Sequence, residues 1–523
     1  MPGKGRADAD MDGETAVVSA SARSVVPRTP AQEEPPLEVS AAQDAAVGSV
    51  TDPLPELAEV KNAAAEPAIV FKPSPQRGRD PGVHGRAIRA VAAIDRLLSQ
   101  QLDLVLHNPA LQRLEALWRG VAWLVDGMGD DPKVKLRILD VRWSEVARDL
   151  ERALSFDQSV LFDKIYSAEF GSPGGEPFGL LIVDHQILHR TGGRERTDDV
   201  SVLGALSEVA AAAFCPTILG VDPRMLGLDG FDEIDLRQDV AGTLAGAEYA
   251  RWERLRGQPD TRFLGAVVPR LLARARHFGR DFPRLGFVYD EAITGPQDLL
   301  WLNGGFGLAQ VAARAMRVHR WPAGIRGAIA VGEGGVIDGP IRQYLPSDHD
   351  RVVARYAVEN AISEEQEVAL NASGLMAIRQ MHLTSTVGFL NLPSIHRPPE
   401  YDGEAARMNA KMSAMLNYIM CVCRFAHYVK VMARDWVGKY TDANECQRLL
   451  QAWLSNYVTG NDDASAEMRL RYPLREARVL VSEMPGKPGT YGCEIAIRPH
   501  YQLDQIASEF RLTTVLGREL GGS

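Results

Sequence analysis

Cysteine is scarce in this sequence: Cys215, Cys421, Cys423, Cys446 and Cys493 are the only five in 523 residues. That is no disulfide framework for a chain this long, so a reducing compartment, the cytoplasm, is the expected setting. Long apolar runs are missing too. None approaches the ~18–20 residues that cross a bilayer, and the N-terminus lacks the apolar core of a signal peptide. Positive charge is in deficit, with 58 Lys and Arg against 68 Asp and Glu. A net charge of −10 argues against a nucleic-acid binder, whose footprint is basic.

Complete catalytic signatures are absent as well. Gly304-Gly305-Phe306-Gly307 and Gly332-Glu333-Gly334-Gly335 have the look of phosphate loops. Neither carries the Lys-Ser/Thr of a P-loop or completes GxGxxG, and Glu333 would set a negative charge beside a phosphate. Cys421 and Cys423, two apart on a helix, point about 200° from each other. Cys423 and His427 share a face, but a zinc site needs three or four protein ligands. Packing is the plainer reading for both. Gly171-Ser172-Pro173-Gly174 places proline where a nucleophile elbow starts its helix. Asp184-His185 is a catalytic candidate by position alone, against a histidine that simply bonds the backbone. No cofactor and no metal is expected.

What is present has the balance of a soluble globular protein of two or three domains. Residues 1–80 hold ten of the 31 prolines and one aromatic, Phe71. With so little apolar surface to offset the entropy of ordering, they are expected to be a disordered extension. Residues 81–155 read as a helical hairpin followed by a strand (134–138) and a helix (144–154). Val91, Ile94, Leu98, Leu102 and Val105 step by three and four along one helical face. Asn108 suits an N-cap before Pro109. Leu111, Leu114, Leu117, Trp118, Val121 and Leu124 line the second helix, with Gly127 placed to end it.

Residues 156–400 are expected to form an α/β core. Segments 178–184 and 217–221 are continuous apolar runs suited to strands buried on both faces. With the helical stretch 200–214 between them they make a βαβ-like unit. Residues 222–345, rich in Gly and Pro, read as an inserted region. Residues 401–465 carry long helices. One is expected from 405 to 437, striped by Met408, Met412, Met415, Ile419, Cys423 and Ala426. A second, capped by Thr441 or Asp442, carries Cys446, Leu449, Leu450, Trp453, Leu454 and Tyr457.

Residues 466–523 read as a C-terminal β-arm. Ala477, Val479 and Val481 alternate with Arg478, Leu480 and Ser482. The turn Pro485-Gly486-Lys487-Pro488-Gly489 follows, and then Tyr491, Cys493, Ile495 and Ile497 alternate again, which is a hairpin pattern. A lone hairpin is marginal in water, and few strand-like segments neighbour it. Either it completes its own domain's sheet, or the missing strands come from another chain by strand addition. The second reading places Val479, Val481, Tyr491, Cys493, Ile495 and Ile497 on intersubunit strands.

Ordered motifs run through residues 85–520. They are Leu106-His107-Asn108-Pro109, Leu114-Glu115-x-x-Trp118-Arg119-Gly120, Pro269-Arg270-Leu271-Leu272-Ala273-Arg274, Arg326-Gly327 with Glu333-Gly334-Gly335, and Arg424-Phe425-Ala426-His427-Tyr428. Cys446-Gln447-Arg448 with Trp453, Arg471-Tyr472-Pro473-Leu474, Pro485-Gly486-x-Pro488-Gly489 and Arg498-Pro499-His500-Tyr501-Gln502-Leu503 complete the series. Together they resemble the large sheath subunit of type VI secretion systems, the TssC/VipB family. The resemblance implies a mixed α+β sheath-type core and a structural, non-enzymatic role. The implied partners are a small sheath subunit (TssB/VipA-like), further copies of the chain in a helical sheath, an Hcp-type inner tube, a baseplate, and a ClpV-type ATPase for disassembly. Leu98, Leu102, Leu114, Trp118 and Val121 are then expected to pack against the small subunit. Arg119, Arg326, Arg424 and Arg471 have either interchain or intrachain partners. The stretch 371–390 and the N-terminal extension depart from the family pattern. The competing reading is a cytoplasmic α/β enzyme acting on a phosphorylated small molecule, which rests on the βαβ-like centre and the Gly-rich turns.

Overall fold

The computed structural model describes residues 16–21, 81–172, 174–190, 197–234, 239–278, 286–327, 332–339, 357–380, 386–436, 443–461, 464–483, 491–500 and 510–516. The chain divides into two compact units, residues 25–98 and residues 1–24 with 99–523. Most of the segment expected to be disordered, and the proposed caps Thr441 and Asp442, lie outside the described residues. Within that segment, however, Ala16–Ser21 forms a strand, β1.

Helix α1 spans Pro81–Leu106 and α2 spans Pro109–Met128. Asn108 caps α2 as expected, its side chain accepting from the Ala110 amide, with Pro109 first in the helix. The helix ends at Gly129, whose φ of 57° suits glycine, and not at Gly127. Strand β2 (Lys135–Asp140) and α3 (Trp143–Arg152) follow.

The body is a seven-stranded sheet in the order β2-β1-β3-β4-β5-β8-β9. Its strands are β3 (Phe178–Ile187), β4 (Thr217–Val221), β5 (Leu264–Val268), β8 (Leu375–Gln380) and β9 (Val387–Phe389), with β1 and β2 at one end. β3, β4, β5 and β8 run parallel; β9 and β1 are antiparallel to their neighbours. Two residues of β6 (Leu271–Leu272) pair with β7 (Trp301–Leu302) beside this sheet. Alternation divides the strand side chains between two cores. Leu181, Val183, Leu219, Ala266 and Ala377 face a cluster with α3 and with α4 (Asp199–Ala212), through Trp143, Leu203 and Leu206. Leu180, Ile182, Ile218, Val267, Met376 and Ile378 face α2 and α5 (Gly305–His319), through Leu124 and Phe306. Continuous apolar runs follow from burial on both faces. Residues 222–345, read as an insertion, instead supply the interior strand β5 and the buried helix α5.

The single helix expected at 405–437 is two, α6 (Glu404–Ser413) and α7 (Leu416–Trp436). The break has a backbone cause: Ser394 N donates to Ala414 O at 2.9 Å and Leu416 N donates to Leu392 O at 2.8 Å. Those bonds take Ala414 and Leu416 out of a continuous helical ladder.

A separate three-stranded antiparallel sheet closes the chain: β10 (Leu474–Glu483), β11 (Tyr491–Pro499) and β12 (Phe510–Leu516), in that order. The hairpin register is as read, with Val479 opposite Ile495 and Val481 opposite Cys493. Its turn at 485–489 lies outside the described residues. The third strand was not anticipated, and it supplies within the chain one partner that the hairpin lacked.

Candidate assembly surfaces

Three places bear on function: the C-terminal sheet, the uncovered sides of α1 and α2, and the positions that hinted at catalysis. In the sheet, Ala477, Val479, Val481, Cys493, Ile495 and Ile497 turn inward. They form one buried cluster with Phe425 and Val429 of α7, with Cys446, Leu450 and Leu454 of helix α8 (Ala443–Ser455), and with Trp321. Trp321 stacks on Phe425 at 4.3 Å between centroids, and Trp453 and Tyr457 pack edge-on around them. Val479, Val481, Cys493, Ile495 and Ile497, all expected on intersubunit strands, therefore point into their own core. Tyr491 begins β11, opposite Glu483 and Leu516.

α1 and α2 carry large apolar side chains that nothing described covers. Leu98, Leu102, Leu114 and Trp118 are 46%, 37%, 42% and 56% exposed, and Ile94 and Val105 share that condition. Val121 differs: it is 7% exposed and belongs to the core between α2 and α5. Gly120 explains the close approach on that side, since a Cβ there would stand 2.5 Å from Leu302 and 3.1 Å from Phe306.

The elbow between α1 and α2 is held by an ionic network that sequence reading missed. Arg274 donates to both oxygens of Glu291 at 2.6 and 2.9 Å and to Glu115 at 3.0 Å. Glu115 also pairs with Arg119 at 2.7 Å, and His107 lies 3.2 Å from Glu291. Desolvation opposes charge on both Arg274 and Glu291, but their mutual bonds prevail: the guanidinium is held above its ordinary range and the carboxyl below. Three separate sequence motifs meet here, through His107, Glu115 with Arg119, and Arg274.

The positions that hinted at catalysis sit in packed surroundings. His185 stacks on Trp143 at 4.4 Å and bonds Asp199 at 3.1 Å; Asp199 also accepts from the Trp143 indole at 2.7 Å. Burial pushes the neighbouring Asp184 carboxyl up to about 6, against a hydrogen bond from Asn303 and the charge of His185. His427 donates from Nε2 to Ala213 O at 3.1 Å, and burial, with Arg424, drives it down to about 3. The Cys421 thiol is pushed up to about 12 by burial. Gly304 meets Val267 and Ile378 side chains at 2.6 and 2.9 Å from where a Cβ would stand, so it seats α5 on the sheet. A Cβ on Gly335 would collide with Phe389 O, and Gly327 N donates to Phe389 O at 2.8 Å. Both Gly-rich stretches are thus close backbone contacts. Arg119 and Arg424 have partners within the chain, Glu115 and Tyr428.

Among the described residues, no helix is long and apolar enough to cross a membrane. Comparison with known proteins gives two family matches in tandem. Residues 88–396 match VipB, described as EvpB/VC_A0108, tail sheath N-terminal domain. Residues 405–516 match the tail sheath gpW/gp25-like domain of the same family. A Pseudomonas aeruginosa PAO1 protein named type VI secretion system sheath protein TssC1 is 33% identical over 431 residues, covering 82% of this chain and 85% of that one. Two solved structures align more loosely. One is the baseplate of the anti-feeding prophage, at 12% identity and TM-score 0.27, covering 55% of this chain and 56% of that one. The other is a sheath tail protein from Desulfitobacterium hafniense, at 9% identity and TM-score 0.28, covering 65% and 63%. Those scores are too low to bear on the fold.

Proposed function

This chain belongs to the EvpB/VipB tail sheath family, as a large subunit of a type VI contractile sheath, and from that premise we propose how it works within one. The carrying observation is that the family matches span both the α/β body and the C-terminal sheet. In the cytoplasm the chain pairs with a small TssB/VipA-like subunit, and the pairs stack into a helical tube around an Hcp-type inner tube, built from a baseplate. The uncovered apolar sides of α1 and α2, with Leu98, Leu102, Leu114 and Trp118, support packing against the small subunit. Val121 does not belong to that surface.

A heterologous interface that does not close on itself generates an open helical filament. Neighbouring subunits are linked by strand addition to the C-terminal sheet, whose strands β10 and β11 carry Val479, Val481, Tyr491, Cys493, Ile495 and Ile497. Backbone ladders at a sheet edge survive a change in subunit angle. A difference of a few kcal/mol per subunit between extended and contracted packing, summed over hundreds of copies, yields a large stroke. Firing needs no catalysis by this chain and no cofactor; a ClpV-type ATPase acts afterwards, in disassembly.

Co-expression with a TssB/VipA-like small subunit tests the proposal. Long tubes are expected by negative-stain electron microscopy, with the large subunit insoluble or unstable when made alone. A soluble monomer that ignores the small subunit and binds a phosphorylated metabolite would return the enzyme reading.

A further inference from the structure

The two edges of the C-terminal sheet are not equivalent. Along the outer edge of β10 several backbone groups are already bonded. Leu474 donates to Tyr457 O at 3.1 Å, and its carbonyl accepts from Thr459 N at 2.9 Å. The register then shifts between Leu474 and Glu476, which moves the outward-facing positions from even to odd numbers. From there, side chains take over. The Val479 amide donates to Gln451 Oε1 at 2.9 Å, and Gln451 Nε2 donates to Ala477 O at 3.0 Å. The Val481 amide donates to Gln447 Oε1 at 2.9 Å.

The spacing makes this possible. Gln447 and Gln451 stand one turn apart on α8, about 6 Å along its axis. Val479 and Val481 are separated by about 6.8 Å along the strand. A primary amide both donates and accepts, so it can replace what a neighbouring strand would offer. On the far side of the sheet, β12 has no strand beyond it among the described residues.

Resting on the strand-sharing reading above, we infer that Gln447 and Gln451 are edge guards. They close β10 against strand addition, so that a second copy of this chain joins the sheet only beside β12. An unguarded β10 would offer a second, competing edge and therefore a second way to polymerise.

Hydrogen exchange read by mass spectrometry, on the large-subunit/small-subunit complex before and after tube assembly, tests this. In the wild type, residues 510–516 should gain protection on assembly while 474–483 stays unchanged. In Q447L/Q451L, which keeps side-chain bulk, the Val479 and Val481 amides should exchange at least about tenfold faster in the unassembled complex. Q447E/Q451E still accepts from both amides and should restore the slow exchange. Protection gained at 474–483 on assembly would overturn the inference, as would a Leu variant that exchanges like the wild type. Protection of 510–516 already present in the unassembled pair would assign that edge to the small subunit and overturn the second-copy part. Wild-type complex that never forms tubes would count against the sheath proposal instead, and the guard comparison in unassembled complex would still decide the role of the glutamines.

Discussion

His427 sits in the middle of the molecule without room for a charge. It is 1% exposed, Nδ1 has no hydrogen-bond partner among the described residues, and Arg424 and Lys430 add to the burial that pushes it down to about 3. In the unfolded chain the same imidazole titrates near 6.5. As pH falls below that value the unfolded state takes up a proton that the folded state refuses, so stability drops until pH nears 3. At pH 5 this one residue should cost about 2 kcal/mol. His427→Gln keeps a donor for Ala213 O and has no such titration. Thermal melts at pH 7 and pH 5 should show a smaller acid loss in the variant than in the wild type; equal losses would place the acid sensitivity elsewhere. Sequence reading placed His427 and Cys423 on one helical face, and both side chains are buried there. The partner of His427, the carbonyl of Ala213, was not legible, being 214 positions away.

Elements defined by local rules were legible, and elements interrupted by distant contacts were not. Asn108-Pro109 announces the start of α2 because a cap is decided within four residues. The βαβ unit shows in its apolar runs because burial on both faces leaves no alternation. The break between α6 and α7 left no mark: Met408, Met412, Met415 and Ile419 keep helical spacing straight through it. It is imposed by residues 392–394, which borrow the backbone of Ala414 and Leu416. The α1–α2 elbow is hidden for the same reason, with Arg274 159 positions from Glu115 and His107 184 from Glu291. Its energetics give a sharp expectation. Arg274→Met strands the buried Glu291 carboxylate and should cost about 3–5 kcal/mol, whereas removing both charges in R274M/E291L should cost much less. Denaturant midpoints for the two variants check this. A single variant no worse than the double would mean that the network is solvated and carries little of the elbow's stability.

For the whole molecule, the question is whether the C-terminal sheet is an attachment or a foundation. Cutting the chain after Arg471 would remove β10–β12 entire and uncover Phe425, Leu450, Leu454 and Trp321, which pack beneath them. Failure of that truncation to form tubes would be hard to separate from failure to fold. Stopping after His500 is the cleaner experiment. It removes β12 but keeps β10 and β11, whose inner side chains belong to the buried cluster and whose outer edge is bonded to α8. This shorter chain should still pair with the small subunit and melt within several degrees of the full-length complex, because none of the cluster residues named above is lost. It should not build long tubes, because the sheet edge that has no strand beside it among the described residues has gone. Electron microscopy of the two co-purified complexes, side by side, reads the result. Tubes of normal length from the shorter chain would show that neighbours are joined without β12, and the strand-sharing account of this sheath would then have to be abandoned in favour of helix packing alone.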